Sequence, residues 1–169
     1  MTSVTPDTIH LREAVERDTP VLDTFGDAAI RGPHDFYDED DLTDRHQGRF
    51  RWGSRVISAA DGTVVGRLTF HQVAYGPNRR STVWRIGVTV LPEYRGRGIG
   101  SRAQRLLADV LFADSDVFRV EADTDVDNVA ERRALLAAGF TEEGVLRGAR
   151  FRAGARRDAV MFSRLRTDD

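Results

Sequence analysis

Val88-Thr89-Val90-Leu91-Pro92-Glu93-Tyr94-Arg95-Gly96-Arg97-Gly98-Ile99-Gly100-Ser101-Arg102 decides how this chain is read. β-Branched residues open an apolar strand, Pro92 ends it, glycines alternate with arginines, and a helical pattern follows. Glycine removes side chains where backbone N–H groups turn toward a ligand. The first turn of a helix adds unpaired N–H groups and a partial positive charge. Together these make an anion site, most often for phosphate. A P-loop needs Gly-Lys-Ser/Thr, and the chain contains no lysine. A dinucleotide fingerprint needs Gly-x-Gly-x-x-Gly in a parallel unit. Here the spacing is Gly-x-Gly-x-Gly, and the strands before it read as an antiparallel hairpin. A nucleotide-binding protein is therefore a weak reading, and for a lone turn of this kind a purely structural role is the plainer one.

The chain has 169 residues, 40% hydrophobic and 31% charged, which suits one soluble domain spanning 1–169. Its 25 basic and 27 acidic residues give a net charge of -2. Bulk charge thus lends nothing to nucleic-acid binding. The absence of cysteine excludes disulfides, thiolate metal sites and a cysteine nucleophile. Met1 to Leu11 shows no basic-then-apolar signal pattern, and no window approaches a membrane span. The expectation is a cytoplasmic protein with neither nucleic acid nor membrane as partner.

Working outward, Thr8 to Arg12 alternates as a short strand. Asp18 or Thr19 can cap a helix with Pro20 in its first turn, ended by Gly32-Pro33. Val56 to Ala59 and Val64 to Phe70 flank the hairpin signal Asp61-Gly62. Gly76-Pro77-Asn78 turns the chain into Val83 to Val90. Ala103, Leu106, Leu107, Val110 and Leu111 recur at helical spacing. Val117 to Ala122 reads as a strand, Asn128 to Ala138 as a helix stopped by Gly139. A hairpin from Phe140 returns through Ala159 to Phe162. The order predicts a mixed α/β fold around one sheet.

Arg95-Gly96-Arg97-Gly98-Ile99-Gly100 fits the pattern Arg/Gln-x-x-Gly-x-Gly/Ala and resembles the GNAT superfamily of acetyl-CoA-dependent N-acetyltransferases. About thirty residues on, the stretch Asp127-Asn128-Val129-Ala130-Glu131-Arg132-Arg133-Ala134-Leu135-Leu136-Ala137-Ala138-Gly139-Phe140 resembles that family's Asn-x-x-(Ala/Ser)…Gly-Phe helix. Glu143-Gly144-Val145-Leu146-Arg147 and Asp158 resemble the branch containing ribosomal-protein N-terminal acetyltransferases. The matched stretch is roughly residues 83 to 162. The resemblance implies a central mixed sheet with one splayed strand pair, flanked by helices, the strand before the loop carrying a bulge. It implies acetyl-CoA as cosubstrate and no metal. Backbone of Arg95, Gly96, Arg97, Gly98, Ile99 and Gly100 would cradle the pyrophosphate, with Ser101 and Arg102 in the helix's first turn. Backbone at Val88 and Val90 would pair with the pantetheine arm, Asn128 would bond it near the thiol, and the Val90 N–H would polarise the thioester carbonyl.

Direct attack by an amine needs a base and a proton for the leaving thiolate. Glu121 and Asp123 alternate on one strand face and are candidate bases, as is His71 after the strand Val64 to Phe70. Glu93 reads as structural. Many relatives carry Tyr where this chain has Leu135, and the ribosomal branch often carries Ser where it has Glu131. No Tyr follows Tyr94. That departure keeps open a catalytically weak acyl-CoA-binding sensor. Phe36, Tyr37 and Asp38, in the acidic stretch from His34 to His46, would form a wall of the acceptor site and suit a cationic amine. The same stretch shows no recognised metal-ligand spacing. The acceptor is expected to be a small-molecule or peptide amine, and an exposed sheet edge at the C-terminal hairpin would suit a homodimer.

Overall fold

A computed structural model describes residues 4–33 and 51–168. Seven strands form one sheet: β1 (His10–Arg12), β2 (Trp52–Ser58), β3 (Val64–Ala74), β4 (Thr82–Val90), β5 (Arg119–Asp125), β6 (Thr141–Arg152) and β7 (Ala155–Leu165). Their order is β1-β2-β3-β4-β5-β7-β6, which leaves β6 at one edge. Every neighbouring pair is antiparallel except β4 and β5. A parallel pair needs a long crossover, and α3 (Ile99–Asp114) supplies it. α4 (Val129–Ala137) follows β5, while α1 (Thr19–Asp23) and α2 (Ala28–Arg31) lie between β1 and β2. This is the mixed α/β class the sequence predicts.

Alternation along β4 separates two faces. Trp84 and Ile86, with Val88 and Val90, join a core with Ile99, Ala103, Leu107, Ala108 and Leu111 of α3 and Leu135 of α4. The other face carries Arg85, Gly87 and Thr89. A smaller apolar cluster of Phe25, Val56, Val64 and Leu91 sits under α1 and α2.

Three boundaries differ from the sequence pattern for physical reasons. The single helix expected up to Gly32 is two short helices joined by a 3-10 turn at Thr24–Gly26. Asp27 takes extended backbone, φ -69° and ψ 139°, and starts α2 afresh. Gly26 and Asp27 are poor helix formers, and the break drops Phe25 into full burial. β3 runs past Phe70 to Ala74, so His71 lies inside it. β5 is displaced to Arg119–Asp125 because its buried face includes acids that hide its alternation.

Two polar side chains in this framework make measurable demands. Arg12 donates to both oxygens of Asp18, at 2.5 and 2.8 Å, and the Val15 N–H adds a third bond at 2.9 Å. These bonds, the Arg12 one foremost, hold the Asp18 carboxyl at about 2. The ionised form is thus favoured by folding. Its stabilisation is complete above the ordinary carboxylate value of ~3.9 and is lost as pH falls toward 2. Urea midpoints measured between pH 5 and 2 should fall less steeply in Asp18→Asn than in the parent. Gln104 is fully buried on α3, and neither amide atom has a partner among the described residues. An unsatisfied buried polar group costs about 1–3 kcal/mol. Gln104→Leu should raise Tm by roughly 2–4 °C per kcal/mol regained, read by calorimetry.

Candidate active site

β4 and β5 pair only at Trp84 with Val120 and Arg85 with Glu121. Beyond that point β4 follows β3 and β5 follows β7, each in register along its length. Sheet twist then carries the two apart. The β3–β4 register shows no slip from Gly66–Val90 to Ala74–Thr82, so the implied bulge is absent from that ladder and divergence alone opens the crevice. The Leu91 N–H donates to Val65 O at 3.0 Å. Ladder bonds alternate, so the main-chain groups of Ile86, Val88 and Val90 face away from β3 into the crevice.

A cleft of about 1270 Å³ passes through this opening. Gly96, Gly98, Ile99, Gly100, Ser101 and Asn128 line one end, and Thr69, His71, Arg85, Asp123 and Arg150 line the other. At the first end the chain turns with φ of 71° at Gly96 and 76° at Gly98, where L side chains are strained by roughly 1–2 kcal/mol. The N–H groups of residues 96 to 100 meet no main-chain acceptor among the described residues. Gly98 occupies the N-cap of α3, so the cleft-lining residues Gly96, Gly98, Ile99 and Gly100 bring unpaired donors to the positive end of a 16-residue helix.

The arginines of the motif shape this loop. Arg95 Nε donates to Val90 O at 2.8 Å, and its Nη2 to Ile30 O. Arg97 donates to Glu93 O at 2.9 Å and lies over the Tyr94 ring. Neither Arg97 nor Arg102 is among the residues lining the cleft. Asn128 caps α4, its Oδ1 accepting from the Glu131 N–H at 3.2 Å, while its Nδ2 donates to Thr124 Oγ1 at 3.1 Å.

The three base candidates occupy different places. Glu121 is fully buried and does not line the cleft. Its Oε1 accepts from Arg85 Nε at 2.9 Å and Nη2 at 2.6 Å; its Oε2 accepts from the Tyr75 hydroxyl at 2.9 Å and Arg119 Nε at 3.1 Å. Four accepted bonds fill a carboxylate's capacity, leaving none for a substrate proton. Burial and the bond to Glu121 raise the Tyr75 phenol, which stays a donor. Asp123, one alternation further out, lines the cleft between Arg150 Nη2 at 2.8 Å and Arg85 Nε at 3.9 Å. His71 also lines it, directly across the ladder from Arg85. Asp125 is buried and paired with Arg152.

Phe36, Tyr37 and Asp38 lie outside the described residues. Leu135 is fully buried in the core, with Ala130, Ala134 and Ala137 on the cleft side of α4. Among the described residues no three histidines or acids lie close enough to hold a metal, and no helix is long and apolar enough to cross a membrane. Sequence reasoning missed Arg85 and Arg150. Arg85 has a signal, a lone charge in the apolar run from Val83 to Val90. Arg150 has none: it reaches Asp123 through register slips in β6 between Glu142 and Gly144 and between Leu146 and Arg150.

The family model described as Acetyltransferase (GNAT) domain matches residues 9–141. The chain is 29% identical over 113 residues to the uncharacterized N-acetyltransferase YoaA of Bacillus subtilis, covering 67% of this chain and 60% of that protein. The aligned region spans about half to three-fifths of the length of the first curated relatives. Mycobacterium smegmatis RimJ in complex with CoA-disulfide superposes with a TM-score of 0.75 at 25% identity, over 94% of this chain and 82% of that one. A ribosomal-protein-S5-alanine acetyltransferase from Vibrio fischeri shares the fold, with a TM-score of 0.58 at 23% identity over 68% of this chain and 62% of that one.

Gly100 lines the cleft, and a Cβ built there would meet Val90 Cγ2 at an ordinary 3.7 Å. Gly100→Leu should therefore fold normally and fill the approach to the loop amides. Thermal stabilisation by coenzyme A should be lost in this variant while its unliganded Tm stays near that of the parent.

Proposed function

We propose that this chain, which belongs to the GNAT acetyltransferase family, transfers an acetyl group from acetyl-CoA to a primary amine by direct attack. The observation that carries the reading is the continuity of one cleft. It runs from the free amides of Gly96, Gly98, Ile99 and Gly100, past the edge of β4 beyond its pairing with β5, to Asp123 and His71. The loop amides suit a diphosphate. Val90 and then Val88 present donors and acceptors that an amide-bearing arm can pair with as an added strand. RimJ, solved with CoA-disulfide, supports coenzyme A as the carrier.

The order along β4 refines one assignment. An arm anchored at the loop meets Val90 first and Val88 one alternation deeper. The thioester lies at the arm's inner end, so the Val88 N–H, rather than that of Val90, is the donor to its carbonyl. The amine then enters from the open face. His71 is its base, directly or through one water, because imidazole titrates near neutrality. Asp123, fixed between Arg150 and Arg85, orients the incoming ammonium. Glu121 positions Arg85.

Leu135 favours a second reading, since no acid stands at that position to protonate the departing sulfur. A sensor that binds acyl-CoA without turnover would give saturable binding of acetyl-CoA and no thiol release with any amine. Thiol release monitored against an amine panel separates the two; acetyl transfer predicts release that depends on the amine. In His71→Gln the rate should fall about 10²-fold, at the low end of general-base contributions, and the acidic limb of the pH–rate profile should flatten. An unchanged acidic limb would remove His71 from the mechanism.

A further inference from the structure

Two cations that the acetyl-transfer chemistry does not use stand at the cleft's open face: Arg31 lines it, and Arg67 lies close beside Arg31. Arg67 projects from β3 on the face shared by Thr69 and His71, both of which line the cleft, and stands across the ladder from Thr89, which also lines it. Arg31, at the end of α2, lines the cleft beside it. Arg67 is half-buried, its guanidinium 5.2 Å from the centre of the Phe25 ring. Arg31 Nε donates to Phe25 O at 3.0 Å. Among the described residues neither has a carboxylate partner. Most other arginines of this face do: Arg85, Arg119, Arg150 and Arg152 each reach one.

Burial first, and then the positive charge of Arg31, press Arg67 toward its neutral form. A guanidinium cannot deprotonate at ordinary pH, so among the described residues two like charges share a partly dry corner. Such an arrangement lowers stability, and an anion settling between them would relieve it. Planar guanidinium groups favour carboxylate or phosphate oxygens in two-point contact.

We infer that Arg31 and Arg67 bind a carboxylate carried by the acceptor, so the amine acetylated belongs to an anionic molecule and not to a polyamine. The inference rests on the acetyl-transfer reading, whose thioester sits beside Val88. The row of Arg67 and Thr89 lies one residue along β4 from Val88, about 3.4 Å. The cations therefore border the place where the amine meets the thioester, which suits a carboxylate carried by the same acceptor. A free amino acid and an acidic side chain near a peptide N-terminus both offer this carboxylate.

Binding can be read without turnover, using product-like probes on the coenzyme A-loaded protein at matched ionic strength. N-acetylglycine carries an α-carboxylate, the α-amide of N-acetylaspartate carries only the side-chain one, and N-acetylglycinamide carries neither. One or both of the acids should stabilise the protein in thermal-shift titrations, and the neutral amide should not. Whichever acid acts identifies the source. Arg67→Gln and Arg31→Gln should each weaken that acid's binding about tenfold, as loss of a charge-assisted contact does. Neither should lower the unliganded Tm, and Arg67→Gln should raise it. Equal response to acids and amide, or binding by the acids that survives both substitutions, overturns the inference. Amine-dependent thiol release in the same preparations reports separately on acetyl transfer, so the two readings fail independently.

Discussion

Two strands of one sheet can part only if something fixes the point at which parting begins. Here that point is the pair Arg85–Glu121, 2.6 Å apart at the last residues where β4 and β5 are in register. A buried ion pair is a weak source of net stability, because desolvation offsets much of its attraction. Its value in this fold is positional. The Glu121 carboxylate takes donors from β4, from its own strand and from Tyr75 beyond the end of β3, so it ties three neighbouring strands at the apex. Without that tie, slippage of β4 against β5 would move Val88 and Val90 relative to Asp123, and the two halves of the cleft would lose their common geometry.

The two halves are built from different materials. The loop end is almost wholly backbone: amides of residues 96 to 100, strand groups at Val88 and Val90, and arginines turned back to hold carbonyls. A surface made of main chain tolerates exchange of side chains that turn away from it, provided Gly96 and Gly98 keep their positive φ and position 100 stays small. The open end is all side chain. Arg85, Asp123 and Arg150 form one connected ion network, and changing any member redistributes charge among the others. Carrier recognition and acceptor recognition are therefore separable in this architecture, and the second can change without disturbing the first.

The same division explains what the sequence made legible. Backbone-built features leave strong local marks: the apolar run to Val90, the alternating glycines, the helical repeat from Ala103 to Leu111. All were readable because each depends on residues within a few positions. The parity of Glu121 and Asp123 was also readable, and both do share a face. What spacing could not convey is where strand pairing stops, and that alone puts Glu121 in the closed apex and Asp123 in the open cleft. Arg150 was invisible for a related reason. It acts through slips in a strand-edge register that depend on Gly144 and Gly148 taking positive φ, conformations no local pattern announces. The break of the first helix was more accessible, since Gly26 and Asp27 together weaken a helix, but the burial that rewards the break involves Val56 and Val64 far along the chain.

α4 shows how core and site compete for one helix. Leu135 and the adjoining Ala138 face the core and are fully buried, while Ala130, Ala134 and Ala137 face the cleft. A polar side chain at position 135 would have to leave an interior packed with Phe140 and Phe162 or find a partner there. With leucine in place the core is closed, and the cleft wall on this side is Ala130, Ala134 and Ala137 with Glu131 and Arg133 beside them. The three alanines let a slender arm lie close to the helix, and position 135 offers no proton. In the proposed transfer, the departing sulfur would be protonated from solvent entering by the open face or by the amine's own proton passed along after attack. Either route works without a dedicated acid, because a thiolate is a good leaving group and its protonation can follow bond cleavage. In the proposed transfer, the chemistry asked of the protein would reduce to holding the thioester carbonyl on one backbone donor and removing a proton from the amine. Those tasks fall to the edge of β4 and to the open face of the sheet, the two surfaces that the Arg85–Glu121 tie keeps in register.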